Sequence, residues 1–162
     1  MKLLKLSALV IALSTPALAL AQGFQIGFGS LQQDTDLPVE ISADALSLNQ
    51  TDGTAQFKGN VVIIQGTMRM SAPLVTVFYD ETTGGIARLE AAERVLLVKD
   101  GDAAEADTAD YDIDGGTVVM TGDVLLTQGN NTMSSNKLTA DLEKGTAQLE
   151  GRVKTVMKAG EN

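Results

Sequence analysis

The side chains able to do chemistry in this chain are few in kind. Histidine and cysteine are absent from all 162 residues, which removes the usual general base, the thiol nucleophile and the softer metal ligands together. Serines are present, but nothing can activate one through a Ser–His relay, and no Gly-x-x-x-x-Gly-Lys phosphate loop occurs. Carboxylates remain. Asp100, Asp102, Glu105, Asp107, Asp110, Asp112 and Asp114 crowd one stretch, and converging oxygens are what calcium requires. The run lacks the ligand order of a calcium loop closed by Glu, and it lacks the Gly-Gly-x-Gly-x-Asp nonapeptide of calcium β-rolls. Asp110, Asp112 and Asp114 instead alternate with Tyr111 and Ile113, the pattern of a solvated strand face. An exported calcium-binding module is the alternative this stretch leaves open. Catalysis, a cofactor and a metal site are not expected.

The other candidate surface is apolar and periodic. Gly-Thr-Ala-Gln-Phe-Lys-Gly-Asn-Val-Val-Ile-Ile-Gln-Gly at 53–66 returns without a gap at 116–129 as Gly-Thr-Val-Val-Met-Thr-Gly-Asp-Val-Leu-Leu-Thr-Gln-Gly, an offset of 63 (116 − 53). A shorter copy begins at Gly145 and a looser one at Gly85, so the four starts are spaced 32, 31 and 29 residues apart. A period of that size means stacked similar units. Within the unit Phe57, Val61 and Ile63 fall on alternate positions, as do Met120, Val124 and Leu126, and Leu149 in the last copy. Alternate residues of a strand share a face. The same parity gathers Leu46, Leu48, Met68, Met70, Val75, Val77, Leu89, Val95, Leu97, Tyr111, Ile113, Met133 and Leu138. Most of such a set fills a core. Yet it holds no Trp, has Phe57 and Tyr111 as its aromatics and draws on four methionines, Met68, Met70, Met120 and Met133, and flexible methionines suit irregular acyl chains.

Strands must position these residues. From Val39 on, short alternating runs such as Val39–Leu48, Thr54–Gly59, Val61–Gln65, Leu74–Tyr79, Arg94–Lys99, Ala106–Ile113 and Val153–Met157 are broken by turn residues at Asp52-Gly53, Gly84-Gly85, Asp100-Gly101, Gly115-Gly116 and Lys144-Gly145. Arg88–Leu97 is the sole helix candidate, and it also fits the repeat as strand. The small residue at the centre of each unit, Gly59, Gly122 or Gly151 with Ala91 in the weak copy, marks either a bend in a strand or a tight hairpin turn. About fourteen strands in two facing sheets give a body of roughly 35 Å with an unpaired strand at each end. The fold class is all-β, antiparallel and open.

The start of the chain reads as an address. Met-Lys-Leu-Leu-Lys, an apolar run from Leu6 to Leu13 and Ala19-Leu20-Ala21 describe a secretory signal peptide cut after Ala21. Its removal takes Lys2 and Lys5 and no acid, moving the formal charge from −9 to −11 (−9 − 2). An exported chain so acidic repels nucleic acid. The expected organisation is a signal peptide at 1–21, a flexible leader at 22–38, one domain at 38–157 and a tail at 158–162. Phe24, Ile26 and Phe28 alternate with Gly and Gln. A mobile terminus is the favoured reading, with a strand that pairs only on a partner sheet as its rival.

Ile41-Ser42-Ala43-Asp44, Phe57-Lys58-Gly59-Asn60-Val61, Gln65-Gly66 and Met70-Ser71-Ala72, with Ala106-Asp107, Met120-Thr121-Gly122-Asp123-Val124 and Gln128-Gly129, resemble the OstA-like repeats of the LptA family. That is a family of lipopolysaccharide-transport proteins of the Gram-negative periplasm, and the resemblance covers roughly 38–157. It implies a twisted, open β-jellyroll holding lipid A acyl chains, and head-to-tail stacking in which first strands pair with last. On it, the lipid-facing set is Leu46, Leu48, Phe57, Val61, Ile63, Met70, Val75, Val77, Leu89, Tyr111, Ile113, Met120, Val124, Leu126, Met133, Leu138 and Leu149. Val39, Ile41, Val153 and Val156 lie at the partner edges. The partners it implies are lipopolysaccharide, further copies of the chain, and the inner-membrane anchored and outer-membrane transport proteins that carry similar domains. The third unit departs, having Ala91-Ala92-Glu93-Arg94 where Gly-Asn-Val is expected, and the leader lies outside the pattern. The competing reading is a β-solenoid that polymerises end to end with a dry core and carries no lipid.

Overall fold

The computed structural model describes residues 24–27 and 35–157; the expected signal peptide and the far C-terminal tail lie outside them. Among the described residues eleven strands form one antiparallel sheet. They are β1 (Phe24–Gly27), β2 (Glu40–Ser42), β3 (Ala45–Asn49), β4 (Thr54–Gln65), β5 (Met68–Tyr79), β6 (Ile86–Lys99), β7 (Asp102–Asp112), β8 (Thr117–Gln128), β9 (Asn131–Asp141), β10 (Thr146–Glu150) and β11 (Lys154–Val156). Neighbours follow the order β1-β10-β9-β8-β7-β6-β5-β4-β2, with β3 also on β4 and β11 also on β9.

The long strands each carry an irregularity in mid-length. Register slips between Lys58 and Val61, Ser71 and Leu74, Ala92 and Val95, Glu105 and Thr108, and Thr121 and Val124. These slips line up across the sheet as a crease, and bulged strands bend. On one side of the crease lies a leaf made of β3, half of each of β4 to β9, β10 and β1. On the other lies a second leaf made of β2, the remaining halves and β11. Nine strands at about 4.8 Å spacing make the first leaf roughly 40 Å long. Thus Gly59-Asn60 and Gly122-Asp123 are bends within β4 and β8, and the hairpin alternative fails. The short runs of the sequence merge in pairs into single long strands for the same reason, while Val39–Leu48 splits at Ala43-Asp44 into β2 and β3. Arg88–Leu97 lies within β6.

The crease explains the repeated glycine. Gly59, Gly122 and Gly151 have φ of +77°, +85° and +76°, and the residues after them, Asn60, Asp123 and Arg152, are also left-handed. Left-handed backbone favours a residue without Cβ. Space is denied as well: a Cβ on Gly59 would lie 2.6 Å from the Asp44 carboxylate, one on Gly151 would lie 2.8 Å from the Asn136 amide, and one on Gly122 would run into Asp107. Each bend is therefore roofed by an Asp or Asn, from the break between β2 and β3 (Asp44) or from the neighbouring strand (Asp107, Asn136), which accounts for the Ala-Asp before the Phe-x-Gly in the motif. In the third unit Glu93 (φ +67°) and Arg94 (φ +78°) occupy the bend. The bend falls two residues later than the alignment of Ala91 with Gly59 requires, so Val95 takes the place of Val61.

Turns at the far rim of the first leaf share a second device. Asn49, Asp80, Asp112 and Asp141 each accept a hydrogen bond on Oδ1 from a main-chain N–H two or three residues on, at 3.0, 2.7–2.9, 2.9 and 2.9 Å. Such turns close hairpins without Cys or Pro. These bonds hold the Asp80 carboxyl below the usual carboxylate range, and Lys144 does the same for Asp141.

Candidate lipid-binding interior and strand edges

The register assigns the apolar residues to rows that run across the strands. In the first leaf one row is Leu46, Phe57, Val75, Ala91, Ala109, Met120, Leu138 and Leu149, each the direct partner of the next. A second is Leu48, Ala55, Val77, Leu89, Tyr111, Val118, Ala140 and Ala147. In the second leaf Ile41, Ile63, Met70, Leu97, Ala104, Leu126 and Met133 form the corresponding row. Val61, Val95 and Val124 stand beside the crease. Directly opposed residues share a face, so each member of the expected lipid-facing set that lies on a strand takes the same inner face.

Exposure separates the middle of the rows from their ends. Every hydrophobic core residue, from Ala55 and Val61 through Leu149, is at most 5% exposed. Phe57 and Ile113 are partly buried against this core, as are Val39 and Ile41. Leu46 and Leu48 depart from the enclosure expected of them, being 52% and 69% exposed. They belong to the inner rows by register, but β3 is the last strand of its leaf, and no neighbour covers them. At the opposite end Val153 and Val156 are 43% and 55% exposed. Val156 pairs with Thr132 on the outward parity, whereas Thr155, paired with Met133, holds the inward position.

The rows are filled by one another. The interior residues of both leaves belong to one buried cluster, while the row ends at Leu46 and Leu48 stay open to solvent. Alanine is frequent among the core residues of the central strands β6 and β7 (Ala91, Ala104, Ala106, Ala109), beside the larger Leu89, Leu97 and Tyr111. Such small residues carry no lipid-binding signal in a sequence, and only the register shows that they stand in the rows.

A polar row closes the second leaf opposite the crease, and sequence reasoning missed it. Gln65, Lys99 and Asp102 are 0%, 4% and 8% exposed. Lys99 Nζ donates to Asp100 and to Thr67 Oγ1, and Gln128 Nε2 donates to Asp102 Oδ2 at 3.1 Å. The Tyr111 hydroxyl, from the first leaf, donates to Gln65 Oε1 of the second at 2.6 Å. Gln65 Nε2 in turn donates to the carbonyls of Thr35 and Leu37 at 2.8 and 2.9 Å. One buried amide therefore ties both leaves and the chain entering β2. Burial, with a smaller contribution from the Asp112 charge, pushes the Tyr111 phenol up to about 12. The repeated Gln-Gly was the available signal for this tie, although Gln128 at the equivalent place serves Asp102 instead.

The acidic stretch is structural in its geometry. Asp107 roofs the Gly122 bend, Asp110 accepts from Arg88 Nε at 2.9–3.0 Å, and Asp112 starts a turn. Arg88 also pairs with Glu90 and lies 5.0 Å over the Phe78 ring. Among the described residues no group of three acidic side chains is placed to hold a metal ion.

Residues 40–146 match the family described as LptA/(LptD N-terminal domain) LPS transport protein. The chain belongs to this family. It is one of transport components, not of enzymes. The chain is 31% identical over 146 residues to an uncharacterised protein of Rhizobium meliloti, covering 83% of this chain and 78% of that one. It is 24% identical to the lipopolysaccharide export system protein LptH of Pseudomonas aeruginosa over 71% of this chain and 69% of that one. Against LptA of Escherichia coli it is 29% identical over 65% of this chain and 60% of that one. The crystal structure of LptH, an LptA-homologous periplasmic transport component, superposes with a TM-score of 0.68 at 19% identity, covering 78% of this chain and 99% of that one. That match shows the same fold, an open antiparallel jellyroll.

Proposed function

We propose that this LptA-like transport protein is exported to the periplasm and shields lipid A acyl chains between its two leaves, passing lipopolysaccharide along a bridge of stacked domains. The supporting observation is continuity. Apolar rows run unbroken from β3 to β10 in the first leaf and from β2 to β9 in the second, so a second domain paired edge to edge extends them. Strand addition supplies both the backbone bonds and the alignment. The exposed Leu46 and Leu48 at one end, and the ends of β10 and β11 at the other, are the pairing edges. The partners are further copies of the chain and the similar domains of inner- and outer-membrane transport proteins. Acyl chains enter by parting the leaves, because the inner rows are buried from solvent. Energy for movement comes from a partner, since this chain has no nucleotide-binding motif.

Photo-crosslinkers at Phe57 and Met120 should capture lipopolysaccharide, and those at Lys58 and Thr121 should not; equal capture at both pairs refutes the inner-face assignment. The filled interior is also what a non-carrying scaffold would have. Mass spectrometry of the purified, gently extracted protein separates the two readings, because only the carrier retains an amphiphile.

A further inference from the structure

The leader contains a copy of the edge strand at the other end of the molecule. β1 pairs antiparallel with β10, Phe24 against Leu149, Gln25 against Gln148, Ile26 against Ala147 and Gly27 against Thr146. In the first leaf these are the ends of the two inner rows. At their opposite ends the rows finish on Leu46, beside Phe57, and on Leu48, beside Ala55. Phe24 thus holds the row position of Leu46, and Ile26 that of Leu48. The segments match in kind: Phe-Gln-Ile-Gly against Leu-Ser-Leu-Asn, apolar, polar, apolar, turn-former. Direction matches too. β3 runs antiparallel to β4, and β10 runs parallel to β4 through the alternation of the strands between. A β3 arriving on β10 from a second copy would therefore lie antiparallel, as β1 does.

We propose that β1 is an intrachain mimic of β3 that caps the β10 edge and must leave before another copy, or a domain like it, can dock there. This rests on the head-to-tail reading above. Exposed sheet edges recruit other chains, and a cap from the same chain keeps the isolated protein from doing so. The base of the leader is well placed for it. Thr35 is tied by Gln65 and packs near Gly116, whose carbonyl accepts from Leu142 N at 2.8 Å, and β10 begins four residues after Leu142. The cap is displaceable by count. β1 offers four residues and covers β10 alone, leaving β11 open, whereas an incoming β3 and β2 offer five and three residues and cover both leaves. Loss of the competing strand exposes no charge and breaks no disulfide, so exchange is reversible.

The test uses the full mature chain, which is free of cysteine. Gln25→Cys with Gln148→Cys, opposed in register on the outer parity, would lock the cap on oxidation, since cross-strand pairs stand within disulfide reach after small adjustment. Ile26→Pro removes a backbone donor from β1 and loosens it. Sedimentation velocity over a concentration series should show the oxidised lock as monomer and the reduced lock self-associating like the unaltered chain. Ile26→Pro should associate about tenfold more tightly, the scale set by a few lost backbone bonds. Association of the oxidised lock equal to the reduced form, while Thr155→Pro in β11 abolishes association, overturns the cap and leaves head-to-tail pairing standing. Absence of association in every variant overturns both.

Discussion

Gly122→Ala tests the crease, on which the facing of the two leaves depends. Gly122 has φ +85°, and its Cβ would meet Asp107 Cγ at 2.8 Å. Gly129 has φ +55° in a two-residue turn with nothing within 4 Å of a Cβ, so it carries the conformational cost alone. That cost is about 1–2 kcal/mol for a left-handed Ala, less about 0.4–1 kcal/mol from the stiffer unfolded chain. Gly129→Ala should then lose up to about 1.5 kcal/mol. Gly122→Ala adds overpacking against Asp107, about 1–3 kcal/mol, for a total of about 2–4 kcal/mol. At about 3–5 °C per kcal/mol for a domain of this size, the melting temperature falls by roughly 6–20 °C, against at most about 7 °C for Gly129→Ala. Thermal denaturation by circular dichroism measures both, with Asp107→Ala completing a double-mutant cycle. In the Asp107→Ala background the penalty at Gly122 should shrink to that at Gly129. An unchanged penalty there would refute the idea that the Asp roof fixes the bend.

Further outcomes follow from the interior. Tyr111 has a folded-state pKa of about 12 against about 10 unfolded. A raised value means its contribution is complete below about pH 10 and is lost as pH rises toward 12, by about 2–3 kcal/mol. Urea denaturation at pH 9 and pH 11.5 should therefore show a steeper alkaline loss for the unaltered chain than for Tyr111→Phe; parallel losses would mean the phenol is not held in the core. Leu138→Ala, at a site 1% exposed, should cost about 2–5 kcal/mol by denaturant titration. Val124→Asp, also 1% exposed, buries an unpaired carboxylate; a folded Val124→Asp protein should fail to retain lipopolysaccharide in the crosslinking assay at Met120.

The sequence alone determined the all-β class, the repeat and the alternation of apolar residues, because a period of two and a recurring unit with glycine at its start and centre are local properties. The merging of about fourteen expected short strands into the eleven described strands of one sheet was instead decided by the bends. Phe57, Met120 and Leu149 could be placed on one face without knowing what faced them. The resemblance to the transport family was legible in the same residues, and the match over 40–146 bears it out. Other features depended on which strands become neighbours. Whether Gly59-Asn60 turns the chain or bends it depends on Asp44, sixteen residues away across β4. The alanines of β6 and β7 count as interior only because register sets them beside Met120 and Val75. The Tyr111–Gln65 tie joins residues 46 apart, a pairing that no local pattern encodes. Nor does any pattern say that Phe24 and Ile26 extend the rows ending at Leu149 and Ala147. Alternation tells a side chain which way to point, and only the folded sheet determines what it meets.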